Sequence, residues 1–216
     1  MCKPTLTQRL QYVGVPPREA DWRIELLTEK YLQSAARRAV NTLEREGSVL
    51  ISGATGRGKT CAAVAALAEI MQQPHQRCLY IGVREWLLQL KASYRHAAGN
   101  GSDEPDEQGL LDPLMRATTL LLDDLGAEQQ ITPWVRQMIG HVIHERHVRR
   151  CTTLVTSNLP LHRLLLPQDR TREARFVDGI YETYGGHIGS RLSEYRLITL
   201  PETAPDLRAR RAVDAT

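Results

Sequence analysis

An α/β protein, with a five-stranded parallel sheet covered by helices on both faces, follows from how apolar runs are spaced along this 216-residue chain. Short apolar runs at 48–52, 78–83, 119–123, 152–156 and 196–200 alternate with longer segments of helical character, the pattern of parallel strands joined by crossovers. A glycine-rich octet follows the first run and a pair of aspartates closes the third. Both stand at carboxyl ends of strands, where open α/β sheets gather their ligands.

In chain order, residues 22–46 have a helical pattern and lead into the first strand. Residues 53–60 form the octet, and 60–72 is an Ala/Leu-rich stretch with no breaker, so it reads as a helix starting at the octet. Further helices are expected at 84–97, 133–149 and 178–193. Residues 99–109 (GNGSDEPDEQG) are glycine-rich, acidic and aperiodic, hence a solvent loop. The end, 202–216, is expected to be a frayed basic tail carrying Arg208, Arg210 and Arg211. The organisation is therefore a short N-terminal segment with its lead-in helix (1–46), one core (47–201) and the tail (202–216).

The octet Gly53-Ala54-Thr55-Gly56-Arg57-Gly58-Lys59-Thr60 matches G-x-x-x-x-G-K-[ST] at every position. Its glycines let the backbone curl so that N–H groups point at phosphate oxygens. Lys59 adds a positive charge for the β- and γ-phosphates, and the Thr60 hydroxyl is a Mg²⁺ ligand. This pattern predicts nucleoside triphosphate binding with ATP and Mg²⁺ as cofactors. Leu120-Leu121-Leu122-Asp123-Asp124 has the form of the partner site: Asp123 to hold the metal, Asp124 to polarise the attacking water. At the end of the next strand, the Asn158 amide fits a contact to that water or to the γ-phosphate, and equally fits a Ser-Asn-Leu-Pro turn.

Net charge is +3, which permits a nucleic-acid partner without demanding one. Cys2, Cys61, Cys78 and Cys151 are scattered without metal-type spacing, as suits a reducing cytoplasm. No stretch approaches the ~18 apolar residues of a membrane span. His141, His144 and His147 recur at steps of three beside Arg146, Arg149 and Arg150, which reads as a basic helical face rather than a metal site. In 84–97, Arg84, Lys91, Arg95 and His96 accompany Trp86 and Tyr94. Such residues suit single-stranded DNA, cations tracking phosphates and aromatics stacking on bases, but leave open that Trp86 and the leucines are simply core.

Taken together, the octet, LLLDDLGAE, the helix ending ERHVRR, TTLVTSNLP and IGSRL resemble the helicase-loader branch of the AAA+ ATPases. That branch contains the DnaC- and DnaI-type replication proteins and the IstB-type transposition helpers. The opening Gly14-Val15-Pro16-Pro17-Arg18 also resembles the short segment preceding the ATPase core in these proteins.

The resemblance implies a P-loop NTPase (AAA+) core without a C-terminal helical lid. It implies Mg²⁺-dependent ATP hydrolysis in a homo-oligomeric ring or spiral, with single-stranded DNA and a replicative helicase or a transposase as partners. By the same resemblance Asp123 takes the metal position and Asp124 that of the catalytic acid. Asn158 takes the sensor 1 position, and Arg191 that of the arginine reaching into a neighbour's nucleotide. The segment before Gly14 is short for a helicase-gripping domain, which turns attention to the transposition-helper role. A small-molecule kinase is the alternative of another class. It calls for an acceptor pocket and an arginine-rich lid, which the motifs do not offer.

Overall fold

The structure, a computed structural model, describes residues 4–45, 47–97, 107–128, 130–165 and 176–207. Its elements in chain order are α1 (Leu6–Tyr12), α2 (Lys30–Leu43), β1 (Val49–Ser52), α3 (Lys59–Ile70), β2 (Cys78–Gly82) and α4 (Val83–Ala97). There follow α5 (Glu107–Arg116), β3 (Thr119–Leu125), α6 (Pro133–Val148), β4 (Thr152–Ser157), β5 (Leu164–Leu165), β6 (Phe176–Val177), α7 (Ile180–Tyr184), α8 (Gly186–Ser193) and β7 (Arg196–Thr199). Among the described residues no helix is long and apolar enough to cross a membrane.

Five strands form one parallel sheet in the order β2-β3-β4-β1-β7, as the apolar runs predict. Side chains of a strand alternate between faces, and here the alternation divides the core in two. Val49, Ile51, Leu121, Leu154 and Ile198 pack with α2, α3 and the N-terminal segment. Leu50, Leu120, Leu122 and Val155 pack with α4, α5, α6 and the α7–α8 pair. Helix α3 is wedged between α2 and the sheet, and every side chain from Ala62 to Ala68 is fully buried. Alanine at most of these positions is what lets a helix be enclosed all round at close range.

Several helical expectations are corrected. Residues 22–46 are not one helix: a single 3-10 turn (Ile24–Leu26) precedes α2, and Leu27 between them is extended and buried. Gln33 Nε2 holds the Leu27 carbonyl at 2.6 Å, so the break is fixed by tertiary burial. The expected helix 178–193 is two helices, parted at Gly185, whose φ of 93° suits glycine and ends α7. Helix α1 was not expected, although Thr5 and Gln8 form a capping box at its start. Of the expected loop 99–109, residues 107–109 open α5 and the remainder lies outside the described residues. The tail expectation fails for 201–207, where Ala204 is buried and Leu207 packs on the core; Arg208, Arg210 and Arg211 lie outside the described residues.

Arg146 corrects the basic-face reading of α6, because its side chain is fully buried. Its guanidinium donates to Thr153 Oγ1 (3.0 Å) and to the carbonyls of Leu114, Ala117 (2.9 Å), Thr118 (3.4 Å) and Thr152 (2.5 Å). It thus pins the end of α5 and the starts of β3 and β4 to one point. Burial lowers its pKa to about 10, so it stays charged at neutral pH. Arg146→Met fills similar space but strips these carbonyls of their donor, and is expected to cost about 3–5 kcal/mol. Urea unfolding at unchanged m-value measures it; a loss below about 1 kcal/mol would refute the structural role given to the cation.

Candidate functional site

Strand β1 delivers the chain to the octet at the carboxyl edge of the sheet, and Gly53 N still bonds to Ser157 O at 3.3 Å. The loop then turns through Gly56 (φ 79°) and Gly58 (φ 84°) before α3 begins at Lys59. Gly58 caps α3 in the left-handed region. A methyl group there would lie 2.9 Å from the side-chain ends of Leu32 and Leu207, which could shift, so it is the conformation that calls for glycine. The result is a concave run of backbone leading onto the N-terminus of a 12-residue helix, an arrangement that favours anions.

Lys59 is only 6% exposed, and its ammonium points back over the loop. It donates to Ala54 O at 2.9 Å and to Asn158 Oδ1 at 2.6 Å. Asn158 Nδ2 in turn donates to Asp124 Oδ1 at 3.0 Å. One amide therefore bridges the lysine of the octet and the second aspartate of LLLDD, with both its ends engaged. Thr55 is exposed on the loop, while the Arg57 carbonyl accepts from Tyr31 OH at 3.3 Å.

Asp123 is buried at the end of β3 among hydroxyl groups. Its Oδ2 accepts from Thr60 (3.2 Å) and Tyr80 (2.9 Å), and its Oδ1 from Thr156 (2.6 Å). Burial raises the Asp123 carboxyl above its ordinary range, and these three hydroxyls oppose that rise. The donor set tests well for Mg²⁺: Thr60 Oγ1 and Asp123 Oδ2 are hard oxygens within 3.2 Å of each other. Asp124 has φ 62°, and the β3–β4 register shifts between Leu122 and Leu125. Consecutive strand residues would otherwise face opposite sides. This irregularity, anchored by Asp124 N donating to Thr156 Oγ1 (2.8 Å), leaves both carboxylates at the same end of the sheet.

Arg191 is not part of this cluster. Helix α8 returns the chain to the amino edge of the sheet, where β7 starts, and Arg191 sits two residues from the helix end. Its Nη2 donates to His144 Nδ1 (2.6 Å) and its Nη1 to His187 O (3.2 Å). In α4, Trp86 is core, whereas Tyr94 is 40% exposed, edge-on to Trp134, and Lys91 Nζ lies 5.4 Å from the Trp134 ring. The side chains of Arg95 and His96 lie outside the described residues.

Four contributors, Tyr80, Glu128, Tyr184 and Asp206, escaped the sequence reading. Tyr80 reaches Asp123 only because β2 lies beside β3, a pairing no local pattern reveals. Glu128, two residues past Gly126, accepts from Gly126 N (3.0 Å) and from Tyr184 OH (2.6 Å), linking the loop after Asp124 to the last residue of α7. Asp206 is the fourth, lying against Gly56.

A family model described as IstB-like ATP binding protein matches residues 19–171. A curated relative, the uncharacterized protein YqaM of Bacillus subtilis (strain 168), is 24% identical over 126 residues; the match takes in 56% of this chain and only 37% of that protein. Among solved structures, the DnaC helicase loader superposes with TM-score 0.64 at 20% identity, covering 86% of this chain and all of that one (100%). DnaI superposes with TM-score 0.62 at 20% identity, covering 93% of this chain and 100% of the other. These structural likenesses establish the fold, a P-loop NTPase core of the DnaC type.

Proposed function

The chain belongs to the IstB-like ATP binding protein family, and on that premise we propose that it is a DNA-associated AAA+ ATPase that hydrolyses ATP in a homo-oligomer and acts as a helicase loader in DNA replication. The observation that carries this reading is the Lys59–Asn158–Asp124 chain beside the Thr60–Asp123 pair. Binding alone needs the octet and a metal site. A carboxylate held by a neutral amide within reach of the phosphate lysine is what hydrolysis adds.

In this mechanism the octet N–H groups and Lys59 hold the polyphosphate, and Asn158 orients both Lys59 and Asp124. Thr60 and Asp123 would hold Mg²⁺, which neutralises phosphate charge when bound. Asp124 accepts the proton of the attacking water. Arg191, on the opposite edge of the sheet from Lys59, serves the nucleotide of an adjacent subunit. Tyr94, Lys91 and Trp134 offer a cationic aromatic surface for single-stranded DNA. Similarity to DnaC supports a replicative helicase as the partner.

Asp124→Asn keeps the hydrogen bond to Asn158 but has no basic oxygen to take the proton. It is expected to bind ATP as wild type does and to lose hydrolysis by about 10²–10⁴-fold. Phosphate release beside ATP affinity measures both; normal turnover in the variant would move the base elsewhere. ATP turnover with and without single-stranded DNA tests the DNA association. The family match itself favours a second reading, a helper ATPase for a transposase. Pull-down of a hexameric helicase against a transposase separates the two.

A further inference from the structure

The run LLLDDLGAE ends on Glu128, which the reaction as described above does not use. Glu128 closes a turn of unusual backbone. Asp124 has φ 62° and Gly126 φ 97°, so two of three consecutive residues lie in the left-handed region. Glycine adopts that region freely. An aspartate there costs about 1–2 kcal/mol and stays only where its surroundings impose it. On the β4 side, Asp124 N donates to Thr156 Oγ1 at 2.8 Å, and Ser157 Oγ donates to Leu125 O at 2.7 Å. Within the turn, Ala127 N donates to Asp124 O at 3.2 Å, and Gly126 N to Glu128 Oε2 at 3.0 Å. Tyr184 OH anchors the far end to the body of the protein, donating to the same Oε2 at 2.6 Å from 56 residues along the chain.

Tyr184 is a fixed anchor. It is the last residue of α7, is 3% exposed, and belongs to the core cluster that contains Ile180, Ile188 and Leu192. Helix α7 is itself pinned at both ends, by Ile180 N donating to Pro160 O (2.8 Å) and by Arg136 Nε donating to Thr183 O (3.0 Å). Burial, with the Glu128 carboxylate alongside, pushes the Tyr184 hydroxyl well above its ordinary range, so it remains a donor at neutral pH.

We propose, resting on the reading of Asp124 as the base, that Glu128 and Tyr184 are positioning residues for hydrolysis. Their hydrogen bond keeps the 124–128 turn closed, so that the Asp124 carboxylate stays on the Asn158 amide, where it can take the proton of the water. Neither side chain meets the nucleotide; both act through Asp124. A base displaced by about 1 Å can lose on the order of 10²-fold in rate. Relaxation of the turn toward ordinary strand backbone is therefore enough to silence the site while the phosphate loop and Lys59 go on binding ATP.

The test uses the full chain, with titration of a fluorescent ATP analogue, single-turnover phosphate release and a melting curve for each variant. Tyr184→Phe keeps the packed ring and loses only the hydroxyl. It is expected to slow hydrolysis on the order of tenfold, the worth of one hydrogen bond to a charged group, with ATP affinity within about twofold of wild type. Glu128→Ala removes the acceptor from both donors and should lose on the order of 10²-fold, again in rate and not in affinity. Glu128→Gln still offers an oxygen to Gly126 N and Tyr184 OH, and should recover most of the rate lost in Glu128→Ala. In an Asp124→Asn background, Tyr184→Phe should cost little more, because it acts through the residue already changed. Wild-type hydrolysis in folded Tyr184→Phe and Glu128→Ala would overturn the proposal. So would a loss that falls equally on ATP affinity, a Glu128→Gln variant as slow as Glu128→Ala, or a full tenfold loss repeated in the Asp124→Asn background. Asp124→Asn alone separates this from failure of the premise: if it hydrolyses ATP normally, Asp124 is not the base, whatever Glu128 and Tyr184 do.

Discussion

Lys59→Ala is expected to lose ATP binding by at least about 100-fold, and turnover with it, while the protein remains folded. The ammonium is 6% exposed and is aimed by Ala54 O and Asn158 Oδ1. Removing it takes away the charge facing the phosphates and also the donor that holds the Asn158 amide. A hydrogen bond involving a charged group in such a site is worth about 1.5–3 kcal/mol, or roughly 10- to 150-fold, before the phosphate contacts are counted. Titration with a fluorescent ATP analogue, beside a melting curve, gives the answer. Wild-type affinity and hydrolysis in a well-folded variant would end the reading of residues 53–60 as a phosphate site. Lys59→Arg should recover little, because a planar fork cannot replace a compact ammonium between these two oxygens.

The parts of the site legible in the sequence are those in which residue type and spacing dictate local geometry. Residues 53–60 must turn because of Gly56 and Gly58, and must precede a helix because residues 60–70 contain nothing to stop one. The apolar run ending in Asp123 and Asp124 must end a buried strand. What links these pieces was not legible, because Lys59 and Asn158 are 99 residues apart and Asn158 and Asp124 are 34 apart. Asn158 itself read as either a turn former or a site residue, and its contacts arise only once β4 lies between β1 and β3.

Arg146 is instructive in the other direction. Ile139, Val142, Ile143 and Arg146 follow the i, i+3, i+4, i+7 spacing of a buried helical stripe, and all four are buried. Its charge, beside His147, Arg149 and Arg150, outweighed that periodicity in the sequence reading. The tail was misjudged similarly: a basic chain end suggested fraying, while Ala204 is buried and Leu207 packs on the core. Leu27 shows the limit of periodicity, since its position fits a helical stripe but its backbone is extended and its side chain is in the core.

Arg191→Ala is expected to retain ATP binding and to lose the rise in specific activity that wild type shows with protein concentration or added single-stranded DNA. Its guanidinium lies on α8 toward the amino edge of the sheet, held by His144 Nδ1 and His187 O, while the phosphate loop lies at the carboxyl edge. The side chain is partly exposed and its two hydrogen bonds, to His144 Nδ1 and His187 O, are at the surface, so water can satisfy those partners and the fold should tolerate its removal. An arginine supplied to a neighbour's nucleotide stabilises charge spreading over the γ-phosphoryl and contributes on the order of 10³–10⁵ in rate. On the proposed reading this effect is made between subunits, and the decisive measurement is therefore a mixture. Combined with Asp124→Asn, the Arg191 variant should regain activity, because some junctions then pair an intact Asp124 with an intact Arg191. Activity should pass through a maximum as the ratio is varied and fall at either end to the low, unstimulated level of each variant alone. Wild-type turnover independent of concentration, with no rescue in any mixture, would place Arg191 in its own subunit or outside the reaction, and the oligomeric ATPase reading would fall with it.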